Sequence, residues 1–448
     1  MRNIRATVVG LGFRGYSDDA VGPIVKRVQD DLASAGVEIV SSHTVMDYDD
    51  GLAVTDAIRG DESDLLLGIV ASWCDARGAM PVLTAYPERP LLLYSTGGRT
   101  RGDGALWSPA AGAGAPGILE PLRAGGRRFS YVYEKPDQST RVDALMPFCR
   151  AARAASLLRG TRLGTVGYGD MGLYTTAVDT AALRRLLHLE IVHLDLIELE
   201  RQAQAIPQSE VDGLISEFAK QWSVAGPNPS REVLSQVAKT TIGLRKLIAK
   251  HRLTAVSLKC VEGFMTCMQC AACMVGTLVG DETPYVCEND VPGMVAHAML
   301  HYLSGGDTAS FVESYEFWDD RILFGVCGFV PPSMTRGERR AKVFKTARFD
   351  GLMAVPEMKL GRVTLCRPFW REGQMRMHIV TGEAVEPRSW VEVGFELPKH
   401  PSFELVLDGS VEHFIAHVPS QHYSFAYGDH AEALVELCHI LGVEVVRT

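Results

Sequence analysis

Short apolar, β-rich runs alternate with helix-length stretches from the first residues of the chain: Ile4 to Val9, Ala20 to Ala35, Val37 to Val40, Leu65 to Val70 and Leu91 to Tyr94. Such alternation implies parallel strands joined by crossover helices, because strands running in one direction need a long return connection. The pattern resumes at Arg162, where LGTVGYGDMGLYTTAVDTAALRRLL reads as strand, glycine turn and helix, and IVHLDLIEL supplies the next strand. Polar amphipathic helices over Ser209–Trp222 and Ser230–His251 fit solvated crossovers. From about Lys342 the pattern changes to short strands (GRVTLCRPF, MRMHIVTGEAV, SWVEVGF, FELVLDG, VEHFIAHV) separated by Gly, Pro and Asp turns, then a final helix, His430 to Leu441, and a last strand. The expected fold is α/β: two Rossmann-like domains with parallel sheets, residues 1–157 and 158–340, followed by a smaller β-rich, barrel-like domain, residues 341–448.

With 448 residues the chain has room for about three such domains. Its 45 Lys+Arg against 54 Asp+Glu give a net charge of -9, and no basic tract occurs, which argues against nucleic acid or an anionic membrane as partner. No apolar run reaches membrane-spanning length, and MRNIRATVVGLGFRGYSDD lacks a signal-peptide pattern, so a cytoplasmic protein is expected. Ten scattered cysteines fit reduced thiols better than a disulfide framework.

Candidate chemistry concentrates between Pro284 and Pro332. Glu288 and Asp290 follow the short apolar run Tyr285 to Cys287, and Asp290 is a natural N-cap for a helix from about Val291 to Leu303 that Gly305-Gly306 end. A second buried run, Ala309 to Val312, is expected to deliver Glu313 at its C-terminal end, so that two carboxylates leave one sheet edge, where ligands bind in open α/β sheets. His297 and His301, on an apolar helix without the Glu of a zincin, read as structural. Cys267, Cys270 and Cys273 have a spacing used for iron-sulfur ligation, but a nearby fourth Cys and a following Pro are missing; on one helix they would line one face as core packing or a pocket wall. In the first domain, GLGFRG supplies the glycines of a dinucleotide turn, yet Ser41-Ser42 stand where the second strand should end in an acid. Trp73, in IVASWCDARG after a buried strand, is either a core aromatic or a flat surface for a sugar's C-H face. Residues 97–118, rich in Gly, Ala and Pro, read as a long loop.

The words CENDVPGMVAHAMLHYLSGG at 287–306, followed by an acid about two dozen positions on, resemble the L-fucose isomerase and L-arabinose isomerase group of aldose-ketose isomerases. The resemblance implies a divalent metal site in which Glu288 is the first carboxylate, Glu313 the second and His422, in SQHYSFAYGDH, the histidine. The second acid of that group is Asp, displaced by about one position, which leaves Asp290 and Asp319 as substitutes for Glu313. The resemblance further implies sugar contacts from Arg14 in GFRG, from Trp73, and from Met171 in the glycine-rich turn Asp170-Met171-Gly172. It also implies a homo-oligomer of trimeric or hexameric order.

An aldose-ketose isomerase must move a proton between adjacent carbons and stabilise charge on the enediol oxygens. Two carboxylates and an imidazole form a hard donor set suited to Mn²⁺, with Mg²⁺ as the alternative, and no thiol is expected beside these ligands. The expected function is therefore a metal-dependent isomerase of a five- or six-carbon sugar, modified ones included. Two other classes stay open: a non-catalytic sugar-binding α/β protein, and an iron-sulfur or redox protein built on Cys267, Cys270 and Cys273.

Overall fold

The computed structural model describes residues 2–169, 172–261, 263–345, 350–391 and 401–448. The chain divides into two compact units, Met1–Ser156 with Glu432–Gly442, and Leu157–Ala431 with Val443–Thr448.

In the first unit β1 (Ile4–Leu11), β2 (Val37–Val45), β3 (Leu65–Val70), β4 (Leu91–Ser95) and β5 (Phe129–Tyr133) form one parallel sheet in the order β2-β1-β3-β4-β5. Successive side chains point to opposite faces, so β3 feeds two cores at once: Leu65, Leu67 and Ile69 pack with Val28, Leu32 and Phe148, while Leu66 and Val70 pack with Val82, Leu83 and Ile118. Burial on both faces is why β3 and β4 read as unbroken apolar runs. The late helix Ala431–Leu441 packs on this sheet, where Ser130 on β5 donates to Glu436 at 2.6 Å.

Two expectations for this unit change. Residues 97–118 are not an unstructured loop: they contain the hairpin Arg99–Thr100/Leu106–Trp107 and the start of a helical stretch, Ala111–Gly114 then Pro116–Ala124, which helix-favouring alanines and a proline in the first turn support. The second strand runs beyond Val40 to Val45, pairing with β1 as far as Leu11, because its polar residues Ser41 and Ser42 sit half-exposed on an edge strand. An acid, Asp47, therefore does follow that strand. It caps the helix Tyr48–Ala57 and is ion-paired with Arg14 at 2.6 Å, so it is already engaged.

In the second unit β6 (Arg162–Val166), β7 (Glu190–Leu194), β8 (Ala255–Leu258) and β9 (Tyr285–Cys287) make a second parallel sheet, ordered β9-β8-β6-β7. A closed barrel of six antiparallel strands follows: β10 (Ser310–Phe317), β11 (Arg321–Gly325), β12 (Gly361–Arg371), β13 (Gln374–Val385), β14 (Ser402–Leu407) and β15 (His422–Tyr427). The order is β12-β15-β10-β11-β14-β13, and pairing of β12 with β13 completes the ring. β16 (Glu444–Arg447) lies parallel against β13.

The helix Val291–Leu303 is buried on nearly every side, with only His301 among its residues partly exposed. Its all-round apolar character places it between layers rather than at the surface. It contacts both β8 of the parallel sheet and β12 and β15 of the barrel. Its N-terminus is fixed by Asp290, which accepts from the Gly293 amide at 2.9 Å, and Pro292 sits in the first turn.

Candidate active site

Glu288, Glu313 and His422 each offer a ligand atom, and these atoms lie within 4.8 Å of one another. Three separate segments bring them together. Glu288 is the first residue past β9, at the carboxyl edge of the parallel sheet. Glu313 and His422 are direct cross-strand partners on β10 and β15 of the barrel, the closest approach that an antiparallel pair provides. Glu288 and His422 are buried, and Glu313 is half-buried.

Glu313 therefore does not leave the same sheet edge as Glu288, as the short apolar run suggested. It stands in the middle of β10, whose pairing with β11 and β15 on both sides carries the strand on to Phe317. The other two acids are placed differently. Asp319 is exposed in the turn between β10 and β11, and Asp290 touches His422 from the opposite side of the ring.

The backbone at Glu288 and Asn289 is unusual. Both residues are left-handed, with φ of 64° and 52°, which for L-residues costs of order 1–3 kcal/mol each. The Asn289 amide donates to Leu258 at 3.2 Å, and its side chain donates to the carbonyls of Val166 at 3.0 Å and Tyr168 at 2.9 Å. These bonds tie the strained turn to the ends of two neighbouring strands. Asn tolerates the left-handed region better than most residues, which makes it the natural occupant of this position. We expect Asn289→Ala to destabilise the protein by about 1–3 kcal/mol in chemical denaturation, since the side-chain bonds that hold the strained turn to the Val166 and Tyr168 carbonyls are lost; a variant as stable as the wild type would refute this tether.

The ring of His422 is oriented by Asp290. Its Nδ1 lies 2.9 Å from Asp290 Oδ2, and because a carboxylate only accepts, Nδ1 is the protonated nitrogen. Nε2 then faces Glu288 Oε2 at 3.4 Å and is the nitrogen free to bind a metal. Phe311 packs against the imidazole with ring centroids 4.6 Å apart. Burial alone would push the Asp290 carboxyl up, but the Arg367 guanidinium and His422 outweigh it and hold it down at about 2. Arg367 is 1% exposed, bonds Asp290 directly, and donates through its other terminal nitrogen to the Thr175 carbonyl at 2.6 Å.

Thiols lie closer to the carboxylates than the sequence suggested. Cys273 and Cys327 act on each other, which draws the Cys273 thiol down and pushes Cys327 up, and the Glu288 and Glu313 charges each push one of them up. The three-cysteine motif does not lie on one helix face. Helix Phe264–Met268 stops at the left-handed Gln269, and Cys273 belongs to a new helix, Ala272–Val279. A run that is apolar or small apart from Thr266 and Gln269 has no period by which such a break can be read. Cys267 Sγ meets Glu200 at 3.4 Å while Cys270 is buried, so the three thiols point to different neighbours and the iron-sulfur reading loses its ligand set. Among the described residues, the carboxylate-histidine group is the one cluster spaced for a metal.

His297 is fully buried and held down to about 3 by that burial, and His301 donates to the Asp307 carbonyl at 3.0 Å, as structural histidines do. On the first unit, Arg14 is ion-paired with Asp47 and Asp50, and Trp73 is 40% exposed with Phe13 edge-on at 5.0 Å. They follow β1 and β3, between which the strand order reverses, the usual ligand crevice of such sheets. Met171 lies outside the described residues.

No protein-family profile matches the chain. Over 404 residues it is 24% identical to a sulfoquinovose isomerase of Priestia aryabhattai, spanning 87% of this chain and 86% of that protein. A sulfoquinovose isomerase of Alkalicoccus urumqiensis is 22% identical over 335 residues, 73% of each chain. An arabinose binding protein of solved structure from Geobacillus stearothermophilus overlaps 57% of this chain and 74% of its own at 10% identity, and its TM-score of 0.18 is too low to carry an argument. The names of the curated relatives support a sugar isomerase. No helix among the described residues is long and apolar enough to cross a membrane.

Proposed function

We propose that the chain is a divalent-metal-dependent aldose-ketose isomerase that acts on a six-carbon sugar of the sulfoquinovose kind. The observation that carries this reading is the convergence of Glu288, Glu313 and His422, two carboxylates and one oriented imidazole within 4.8 Å of one another. This donor set fits Mn²⁺ or Mg²⁺, because anionic oxygens dominate it and the imidazole presents a bare Nε2. A divalent cation held there supplies Lewis acidity toward adjacent sugar oxygens.

The chain's own groups do the rest. The two carboxylates exchange the proton between carbons: it leaves the carbon beside the carbonyl and is returned to the former carbonyl carbon, while the hydroxyl proton passes from O2 to O1. Glu313 is the better placed for proton transfer, since it is half-buried and open to a ligand whereas Glu288 is 5% exposed. Arg14, Trp73 and Met171 are assigned to sugar contact, with Trp73 offering a ring face. The reading includes a homo-oligomer of trimeric or hexameric order.

The test is a panel of aldoses, sulfoquinovose among them, incubated with purified protein and Mn²⁺ and scored for the matching ketose, with the oligomeric state taken from light scattering of the same sample. Ketose should form from at least one aldose. Tight binding of a sugar without any interconversion would instead identify a sugar-binding protein.

A further inference from the structure

Arg367 has no part in the ligand cluster, yet it joins two regions that a sugar isomerase has to keep in register. It lies on β12, is almost completely buried, and spends its fork on two acceptors: Asp290 through Nη1 and the Thr175 carbonyl through Nη2. Asp290 in turn holds His422 by Nδ1. Thr175 lies in the single turn Tyr174–Thr176, and Ser420 Oγ donates to Thr175 Oγ1 at 3.2 Å while accepting from the His422 amide, also at 3.2 Å. At the other end of the same glycine-rich segment, Asn289 holds Val166 and Tyr168. Tyr168 is thus held by the residue after Glu288, and Thr175 by Ser420, which is bonded to the His422 amide. Tyr168 and Tyr174 are 76% and 95% exposed.

We propose that Arg367 is a positioning residue that couples the two: through Asp290 it fixes the ring and tautomer of His422, and through Thr175 it fixes the 172–177 segment against the sugar. A guanidinium can do this because its fixed planar fork serves two acceptors at once, whereas an ammonium is a point donor. The metal and sugar halves rest on the proposed function; the tautomer half does not.

The experiment compares wild type with Arg367→Met and Arg367→Lys, each checked for folding by circular dichroism. ¹⁵N NMR of histidine-labelled, metal-free protein, with the His422→Gln difference for assignment, reads the tautomer. Calorimetric titration with Mn²⁺ reads metal affinity, and kinetics read KM apart from kcat. Arg367→Met should lose the pure Nδ1-H signature of His422 and weaken Mn²⁺ by about 10–100-fold, the usual effect of removing an outer partner of a metal ligand. Arg367→Lys keeps a charge on Asp290, so it should hold Mn²⁺ within about threefold while raising KM, because one ammonium cannot also hold Thr175. A folded Arg367→Met with wild-type tautomer and Mn²⁺ affinity overturns the inference. So does Arg367→Lys with unchanged KM, the arm that decides if the methionine variant fails to fold. If wild-type protein binds no divalent metal while Arg367→Met still loses the Nδ1-H signature, the metal reading is refuted and the hold on His422 stands.

Discussion

Glu288→Gln and Glu313→Gln should each lower turnover by about two orders of magnitude or more, the scale set by a positioned proton-transfer group, while the protein remains folded. Gln keeps the shape and a hydrogen-bonding oxygen of Glu, so the β10–β15 pairing that carries Glu313 opposite His422 has no reason to open. What is lost is the negative charge and the ability to take up a proton. The assay is run at saturating Mn²⁺, so that weakened metal binding does not pass for lost proton transfer. Asp319→Asn is the control, since that side chain is exposed in the hairpin turn and its loss should leave the rate within a factor of about two, the range of an ordinary surface change. An active Glu313→Gln beside an inactive Asp319→Asn would show that the second carboxylate has been misassigned.

The parts of the fold that were legible are those whose signal is local. β3 and β4 are buried throughout and announce themselves as apolar runs, and the helix at Val291 is bracketed by a capping Asp290 and by Gly305-Gly306. The barrel was legible only in part. GRVTLCRPF, MRMHIVTGEAV and FELVLDG form β12, β13 and β14 as expected, whereas VEHFIAHV is the helix Val411–His417 capped by Ser410, and SWVEVGF lies largely outside the described residues; β10 and β11 come from before residue 340 and join β15 and β14 more than 75 positions later. Closure of a ring is a long-range property that no window of sequence contains. The cysteine segment failed for the opposite reason, because apart from Gln269 the residues around Cys270 are apolar or small, and no Gly or Pro marks the break between two short helices.

In the site, the END word and the histidine near the C-terminus were readable through resemblance, and Asn289 carried a physical hint, as the residue type that best accepts a left-handed turn. The hold on His422 was not readable. Asp290 was seen as a helix cap, which it is, but a single carboxylate can cap with one oxygen and orient a histidine with the other. Arg367 lies 77 positions from Asp290 in an ordinary-looking strand, RPFW, and nothing in its neighbours signals a buried charge. Only the barrel's placement against the parallel sheet within the second unit brings the two together.

Exhaustive chelation should abolish turnover, and Mn²⁺ should restore it better than Zn²⁺. Two carboxylates with ligand atoms within 4.8 Å of each other and of an imidazole repel unless a cation or a proton lies between them. A cation that binds only the folded state must also stabilise it, by about 2.7 kcal/mol at a free concentration of one hundred times Kd, so the melting temperature should rise with Mn²⁺ even without sugar. Zn²⁺ is expected to bind the same three ligands, but its tetrahedral preference leaves fewer positions for sugar oxygens, giving a stabilised but slow enzyme. Full turnover after removal of all divalent metal, verified by elemental analysis of the assayed sample, would refute metal dependence.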